Sequence, residues 1–167
     1  MDISAQTVKE LREKTGAGVI DCKNALVESC GDFGKACDIL AARGIAIAEK
    51  KSARVAKSGA IEIYTHLGGK IGAMVELNCE TDFVAKTDEF KNLAHDLVLQ
   101  IAAMDPKFVS QEDMPKDSEE DPKVACLMLQ PFIKDPSKTI KDIVVEAVAK
   151  IGENIKVRRF VRFELGC

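Results

Sequence analysis

Residues 59–79 read G-A-I-E-I-Y-T-H-L-G-G-K-I-G-A-M-V-E-L-N-C, and the fold turns on them. Ile61, Ile63 and Thr65 alternate with Glu62, Tyr64 and His66. Gly68-Gly69 follows, a pair suited to the positive φ angles of a two-residue hairpin turn. Beyond it Ile71, Ala73, Val75, Leu77 and Cys79 alternate with Lys70, Gly72, Met74, Glu76 and Asn78. A period of two on both sides of a tight turn predicts a pair of antiparallel strands with one buried face.

On the C-terminal side the period changes. Thr87 is placed to cap a helix, with Asp88 and Glu89 in a first turn where the helix dipole favours acids. Phe90, Leu93, Ala94, Leu97, Val98, Ile101 and Ala102 then form an unbroken apolar stripe, the right face to cover the hairpin. Pro106 follows, and Phe108-Val109 reads as a short strand. Residues 110–121, S-Q-E-D-M-P-K-D-S-E-E-D, read as an exposed loop. A helix is expected from Pro122 to about Gln130. A second starts near Ser137, with Ile140, Ile143, Val144, Ala147, Val148 and Ile151 buried and Gly152 as its stop. The last strand spans Asn154 to Leu165. Strict alternation puts Ile155, Val157, Val161, Phe163 and Leu165 on one face, and Lys156, Arg158, Phe160, Arg162 and Glu164 on the other. It should pair with the hairpin, because two strands alone are weak.

On the N-terminal side the pattern is helical. A first helix runs from near Ser4 to Lys14 with Val8 and Leu11 inward, and Gly16-Ala17-Gly18 breaks it. A second carries Val19, Cys22 and Leu26 on one side and stops at Gly31. Asp32 caps a third, with Phe33, Ala36, Cys37 and Leu40 together and Gly44 as its C-cap. Residues 45–58, I-A-I-A-E-K-K-S-A-R-V-A-K-S, read as a basic linking helix. There Lys50, Lys51, Arg54 and Lys57 would form a stripe, either a solvated face or a contact for an acidic partner. The expected class is α+β: a three-helix module at 1–44, the link at 45–58, and a core at 59–167 with a small antiparallel sheet and helices on one face.

The 167 residues suffice to bury a core without disulfides or metals. The net charge of −3 gives no case for nucleic acid or membrane binding. There is no Cys-x-x-Cys. Cys22, Cys37 and Cys79 lie in apolar patterns, where cysteine acts as a small hydrophobe. The start M-D-I-S-A-Q-T-V-K-E does not read as a signal peptide, so a cytoplasmic location is expected. S-C-G-D-F-G-K-A (29–36) fails as a phosphate loop, with Ser29 for the first Gly and Ala36 for the cation-binding Ser or Thr. Cys30 and Cys37 lack a histidine partner for zinc. His66 and His95 fit surface or interface roles. Nothing is arranged to break or transfer a bond, so a binding protein without cofactor is expected rather than an enzyme.

N-C-E-T-D-F-V-A-K (78–86) is the candidate contact. Here a strand ends and a short helical turn begins. One reading packs Phe83 on the core and lets Asp82 cap the turn. The other leaves Phe83 exposed as an aromatic wedge with an acid beside it.

V-K-E-L-R-E-K-T-G-A-G-V-I-D-C-K-N-A-L (8–26) resembles the start of the translation elongation factor Ts family. N-C-E-T-D-F-V-A-K resembles it too, as do Q-P-F-I-K-D-P-S-K-T-I (130–140) and G-E-N-I-K-V-R-R-F-V-R-F (152–163). These blocks stand in the family's order over nearly the whole chain. The resemblance implies a ubiquitin-associated-like fold for the three-helix module and a dimerisation-type α+β core. It implies a guanine nucleotide exchange factor for GDP-bound elongation factor Tu, binding no nucleotide or nucleic acid directly. It assigns Thr81, Asp82, Phe83 and Val84 to partner binding and Mg²⁺ displacement. Phe83 would insert between helices of the partner's nucleotide-binding domain, and Asp82 would act on the network around Mg²⁺. The chain departs from the family between Met114-Pro115 and Leu129-Gln130-Pro131, where a longer charged helical segment is usual. The compact core leaves a homodimer open, with Cys167 a possible cross-link. The alternative is an adaptor that binds the ribosome or another partner through the helical module, which would need no exposed wedge.

Overall fold

A computed structural model describes residues 3–166; Cys167 lies outside the described residues. Three helices open the chain: α1 (Ala5–Thr15), α2 (Val19–Glu28) and α3 (Phe33–Lys51). Ser4 accepts from the Thr7 amide and Asp32 from the Lys35 amide, so both helices start where a short oxygen side chain satisfies an orphan N–H. Leu11, Cys22, Ala25, Leu26 and Ala36 form their small core. Val19, expected inward, is exposed.

Gly44 does not end α3. The helix runs through it to Lys51, because its second half packs against a later helix; Gly44 is buried at that crossing, where a Cβ would meet Ala149 and Val145 at ordinary contact distance. A glycine costs about 1 kcal/mol in a helix interior, and this packing offsets it. The basic linking helix expected over 45–58 is therefore the second half of α3, and residues 52–57 are not helical. The stripe does not form. Lys51 donates to the Gly152 carbonyl and Arg54 lies 3.5 Å from Glu80.

The hairpin stands as β1 (Ser58–His66) and β2 (Ile71–Cys79), but four residues, Leu67 to Lys70, make its turn rather than Gly68-Gly69 alone, and Leu67 shares the positive φ of the two glycines. Gly59, at φ +145°, faces the β2 backbone where any Cβ would collide with the Leu77 carbonyl oxygen. A one-turn helix α4 (Asp82–Ala85) leads into α5 (Asp88–Met104), whose expected stripe is buried throughout. Residues Lys107 and Phe108 both donate to the Ala125 carbonyl, at 2.8 and 3.0 Å, and Leu127 donates back to Phe108 at 2.9 Å. The stretch between thus leaves the core and returns to the same place. It contains a single turn at Gln111–Asp113 and the short helix α6 (Pro122–Ala125), which gives way to a 3₁₀ turn at Leu127–Leu129 rather than continuing to Gln130. A small hairpin of β3 (Pro131–Phe132) and β4 (Asp135–Thr139) precedes α7 (Ile140–Ile151), so the residues near Ser137 are strand and Thr139 is the cap. Buried Gln100 ties α5 to this region, donating to Gln130 and Pro131 and accepting from the Ile133 amide. The chain closes with β5 (Lys156–Glu164).

Among the described residues the main sheet is antiparallel with order β1-β2-β5. Helix α5, with α4 before it, covers one face, while α7 packs on α5 and α3 and adds Ile140, Val144 and Val148 to the same core. The α+β architecture, N-terminal helices followed by a small antiparallel sheet with helices on one face, is as the sequence implies. Two facings are not. On β1 the polar set points inward: Glu62 meets His95 of α5 at 3.2 Å, and Tyr64 meets the same imidazole edge-on. Ile61 and Ile63 face solvent. On β5 a bulge intervenes. Val157 lies opposite Leu77 but Arg159 lies opposite Glu76, so Arg158 is the extra residue and the alternation inverts beyond it. Phe160 and Arg162 turn inward, where Arg162 donates to the Ala102 carbonyl near the end of α5. Val161, Phe163 and Leu165, expected to be buried, are exposed.

Candidate functional site

The site is the corner between β2 and α5. Cys79 is the last buried side chain of the strand, and its thiol donates to the Thr81 carbonyl at 3.0 Å. Burial, with the nearby Glu153 charge, pushes the thiol pKa up and keeps that donor protonated. Thr81 then caps α4: its hydroxyl accepts from the Val84 amide at 3.4 Å. Asp82 is the first residue of the turn, not its cap. Val84 and Ala85 are half-buried against the core.

These positions fix the direction of Phe83. With Val84 and Ala85 turned to the core, the residue before them points away, and Phe83 is 78% exposed. It does not belong to the core. Covering a phenylalanine is worth about 1.5–3 kcal/mol, so a partner able to bury it gains what the free chain leaves unused. Asp82 is also exposed, and Lys86 meets its carboxylate at 2.8 Å. That hydrogen bond, with the lysine charge, lowers the Asp82 pKa below the ordinary carboxylate range. The Lys86 ammonium lies 6.0 Å from the Phe83 ring centroid. The structure thus brings Thr81, Asp82, Phe83 and Val84 into one turn, with the aromatic and the acid outward and the other two supporting.

The turn is held from a distance by residues the sequence did not single out. Glu153, just beyond the end of α7, accepts from the Glu80 and Thr81 amides at 3.1 and 3.0 Å and from the Thr81 hydroxyl at 2.7 Å. Glu80 in turn accepts from the Asn154 amide at 2.7 Å. These pairs lie more than 70 positions apart in the chain, and no local spacing announces them.

Two further apolar patches are exposed. Ile20 and Val27, seven residues apart and so on one side of α2, are uncovered. The sheet face opposite the helices presents Ile61, Ile63, Met74, Val161 and Phe163. Among the described residues there is no cluster of metal-ligating side chains, and no helix is long and apolar enough to cross a membrane. Cys22, Cys30, Cys37, Cys79 and Cys126 are free thiols.

Comparison with known proteins agrees with the blocks quoted from the sequence. The family model described as elongation factor Ts matches residues 5–125. Elongation factor Ts of Carboxydothermus hydrogenoformans is 50% identical over 194 aligned positions, covering 98% of this chain and 89% of the relative. That of Thermodesulfovibrio yellowstonii is 50% identical over 195 positions, covering 99% of this chain and 98% of the relative. That of Fervidobacterium nodosum is 48% identical over 196, covering 99% and 100%. Each alignment is longer than the chain's 167 residues, so these relatives carry residues that this chain lacks. The chain belongs to the elongation factor Ts family, as a short form.

Proposed function

We propose that this protein is a guanine nucleotide exchange factor that promotes GDP release from elongation factor Tu, working in the cytoplasm during translation elongation. The observation that carries the reading is Phe83: a large aromatic, 78% exposed, on a turn that Val84 and Ala85 anchor to the core. Inserted between helices of the partner's nucleotide-binding domain, the ring displaces side chains there. Asp82 alongside it disturbs the network that holds Mg²⁺, and loss of those contacts weakens GDP. The effect is linkage, in which exchange factor and nucleotide each weaken the other's hold by the same factor. No bond is made or broken, and the chain needs no cofactor. The exposed Ile20 and Val27 give the N-terminal module an apolar surface for the same partner domain.

The open face of the sheet supports a homodimer. Ile61, Ile63, Met74, Val161 and Phe163 form a layer with helices behind it and solvent in front, and a second copy presents the same layer. Two such sheets pack face to face at about 10 Å. Sedimentation of wild type and Phe163→Lys tests this: the wild type should be dimeric and the variant should dissociate.

Release of labelled GDP from elongation factor Tu tests the main reading. Wild type should accelerate release strongly, and Phe83→Ala should lose most of that acceleration while remaining folded. A folded, fully active Phe83→Ala would refute the wedge and favour the adaptor alternative.

A further inference from the structure

A one-turn helix does not hold its own direction. Helix α4 has four residues, only Val84 and Ala85 of them half-buried against the core, and isolated turns of that length are unstable in water. That packing sets which side of the turn faces out, and a second hold steadies it. The structure supplies that hold at the corner Gly152-Glu153-Asn154, between α7 and β5.

We infer that this corner positions the Asp82–Phe83 turn, with Glu153 as the positioning residue. The inference rests on the exchange-factor reading above and adds a residue outside the Thr81–Val84 stretch to it. Three hydrogen bonds converge on the Glu153 carboxylate: the Glu80 amide at 3.1 Å, the Thr81 amide at 3.0 Å and the Thr81 hydroxyl at 2.7 Å. Bonds to an ionised acceptor are the stronger kind. The same Thr81 hydroxyl that donates to Glu153 accepts from the Val84 amide, so the carboxylate acts on the cap of α4 itself.

The corner also holds the other end of the partner-binding surface. The Asn154 side-chain amide donates to the Ser52 and Arg54 carbonyls, at 3.3 and 2.7 Å, where the chain leaves α3. Lys51 donates to the Gly152 carbonyl. Arg54 and the Asn154 amide both approach Glu80 Oε1. One three-residue corner therefore grips the wedge turn and the exit from the helical module together. Two contacts on one partner reinforce each other most when the link between them holds the separation that both sites need.

Glu153 and Glu80 are only partly buried, and Thr81 is exposed. Water can replace the carboxylate at those donors, so its loss should disturb aim more than stability. The test is a kinetic cycle on the full chain with elongation factor Tu·GDP, using Glu153→Ala, Phe83→Ala and the double variant, with thermal melts to confirm folding. A misplacement of about 1 Å can cost about 100-fold in rate, so a loss of roughly 10-fold in maximal exchange rate is expected for Glu153→Ala, with KM nearly unchanged. Glu153→Gln, which keeps one acceptor oxygen, should recover part of the rate. In the Phe83→Ala background Glu153→Ala should cost nothing further, because there is no wedge left to aim. If Phe83→Ala is impaired while folded Glu153→Ala exchanges at the wild-type rate, or if the two losses multiply, the positioning role is wrong and the wedge stands. If Phe83→Ala is fully active, the wedge reading itself falls, and this inference with it. If Glu153→Ala does not fold, the cycle is run with Glu153→Gln and decided in the same way.

Discussion

Two successive turns of this chain are written almost alike. Thr81-Asp82-Phe83-Val84 opens α4, and Thr87-Asp88-Glu89-Phe90 opens α5. In each a threonine hydroxyl accepts from the amide three residues on, Val84 in one and Phe90 in the other. In each an aspartate follows the cap. The aromatic differs in place by a single position. Phe90 stands third after its cap and is fully buried; Phe83 stands second and is exposed. The counterpart of Phe83 in the second turn is Glu89, a solvent position that pairs with Lys150. One helical step, about 100°, separates a core residue from a contact residue. Capping sets where a turn starts, and the distance from the cap decides which way each side chain looks.

The comparison breaks if the two phenylalanines respond alike. Phe90→Ala should destabilise the fold by about 3–5 kcal/mol, seen as a large fall in the denaturant midpoint. Phe83→Ala should leave stability within ~0.5 kcal/mol of wild type, since nothing packed is removed. The two caps sharpen it further. Thr87→Ala should cost about 1 kcal/mol of stability and leave the maximal exchange rate of folded protein unchanged. Thr81→Ala removes both the cap of α4 and the hydroxyl that reaches Glu153, so its larger effect should fall on GDP release. The smallest effect expected is at Lys86. The Asp82 carboxyl pKa is lowered chiefly by the Lys86 hydrogen bond. A group with a depressed folded-state pKa contributes above its unfolded pKa and loses that contribution as pH falls through the folded value. Lys86→Ala should therefore raise the Asp82 pKa towards its ordinary value and abolish that contribution, so that stability falls slightly near neutrality and depends less on pH in the acid range. An NMR titration of the Asp82 carboxyl measures it.

The hairpin, the stripe of α5, the helix start near Ser4 and the caps at Asp32 and Thr87 were legible in the sequence because each depends on neighbours a few residues away. The facing of β1 was not, because a period of two defines two faces without saying which is covered; Glu62 and Tyr64 won the inner side by finding His95. The facing of β5 was lost at one residue: the Arg158 bulge is a property of the pairing with β2, and strict alternation has no place for it. Gly44 looked like a helix end because glycine often is one, and only the crossing with α7 explains why the helix continues. The turn at Asp82-Phe83 was legible as a location, and its direction was not. Pattern alone left packing and contact both open, and the family resemblance favoured contact. The Glu153 and Asn154 bonds that hold it depend on a tertiary meeting of distant segments, and no window of sequence contains them.

The excursion between Phe108 and Ala125 has a consequence for what the chain can carry. Its two ends are hydrogen-bonded to each other, so the frame does not register what happens between them. Closing a flexible loop costs only about 0.6 kcal/mol more for each doubling of its length. Segments can be gained or deleted there while the sheet, α5 and the wedge keep their relations. The loop is a port on a fixed chassis: an inserted segment between Met114 and Asp121 should leave the thermal midpoint close to that of the parent chain.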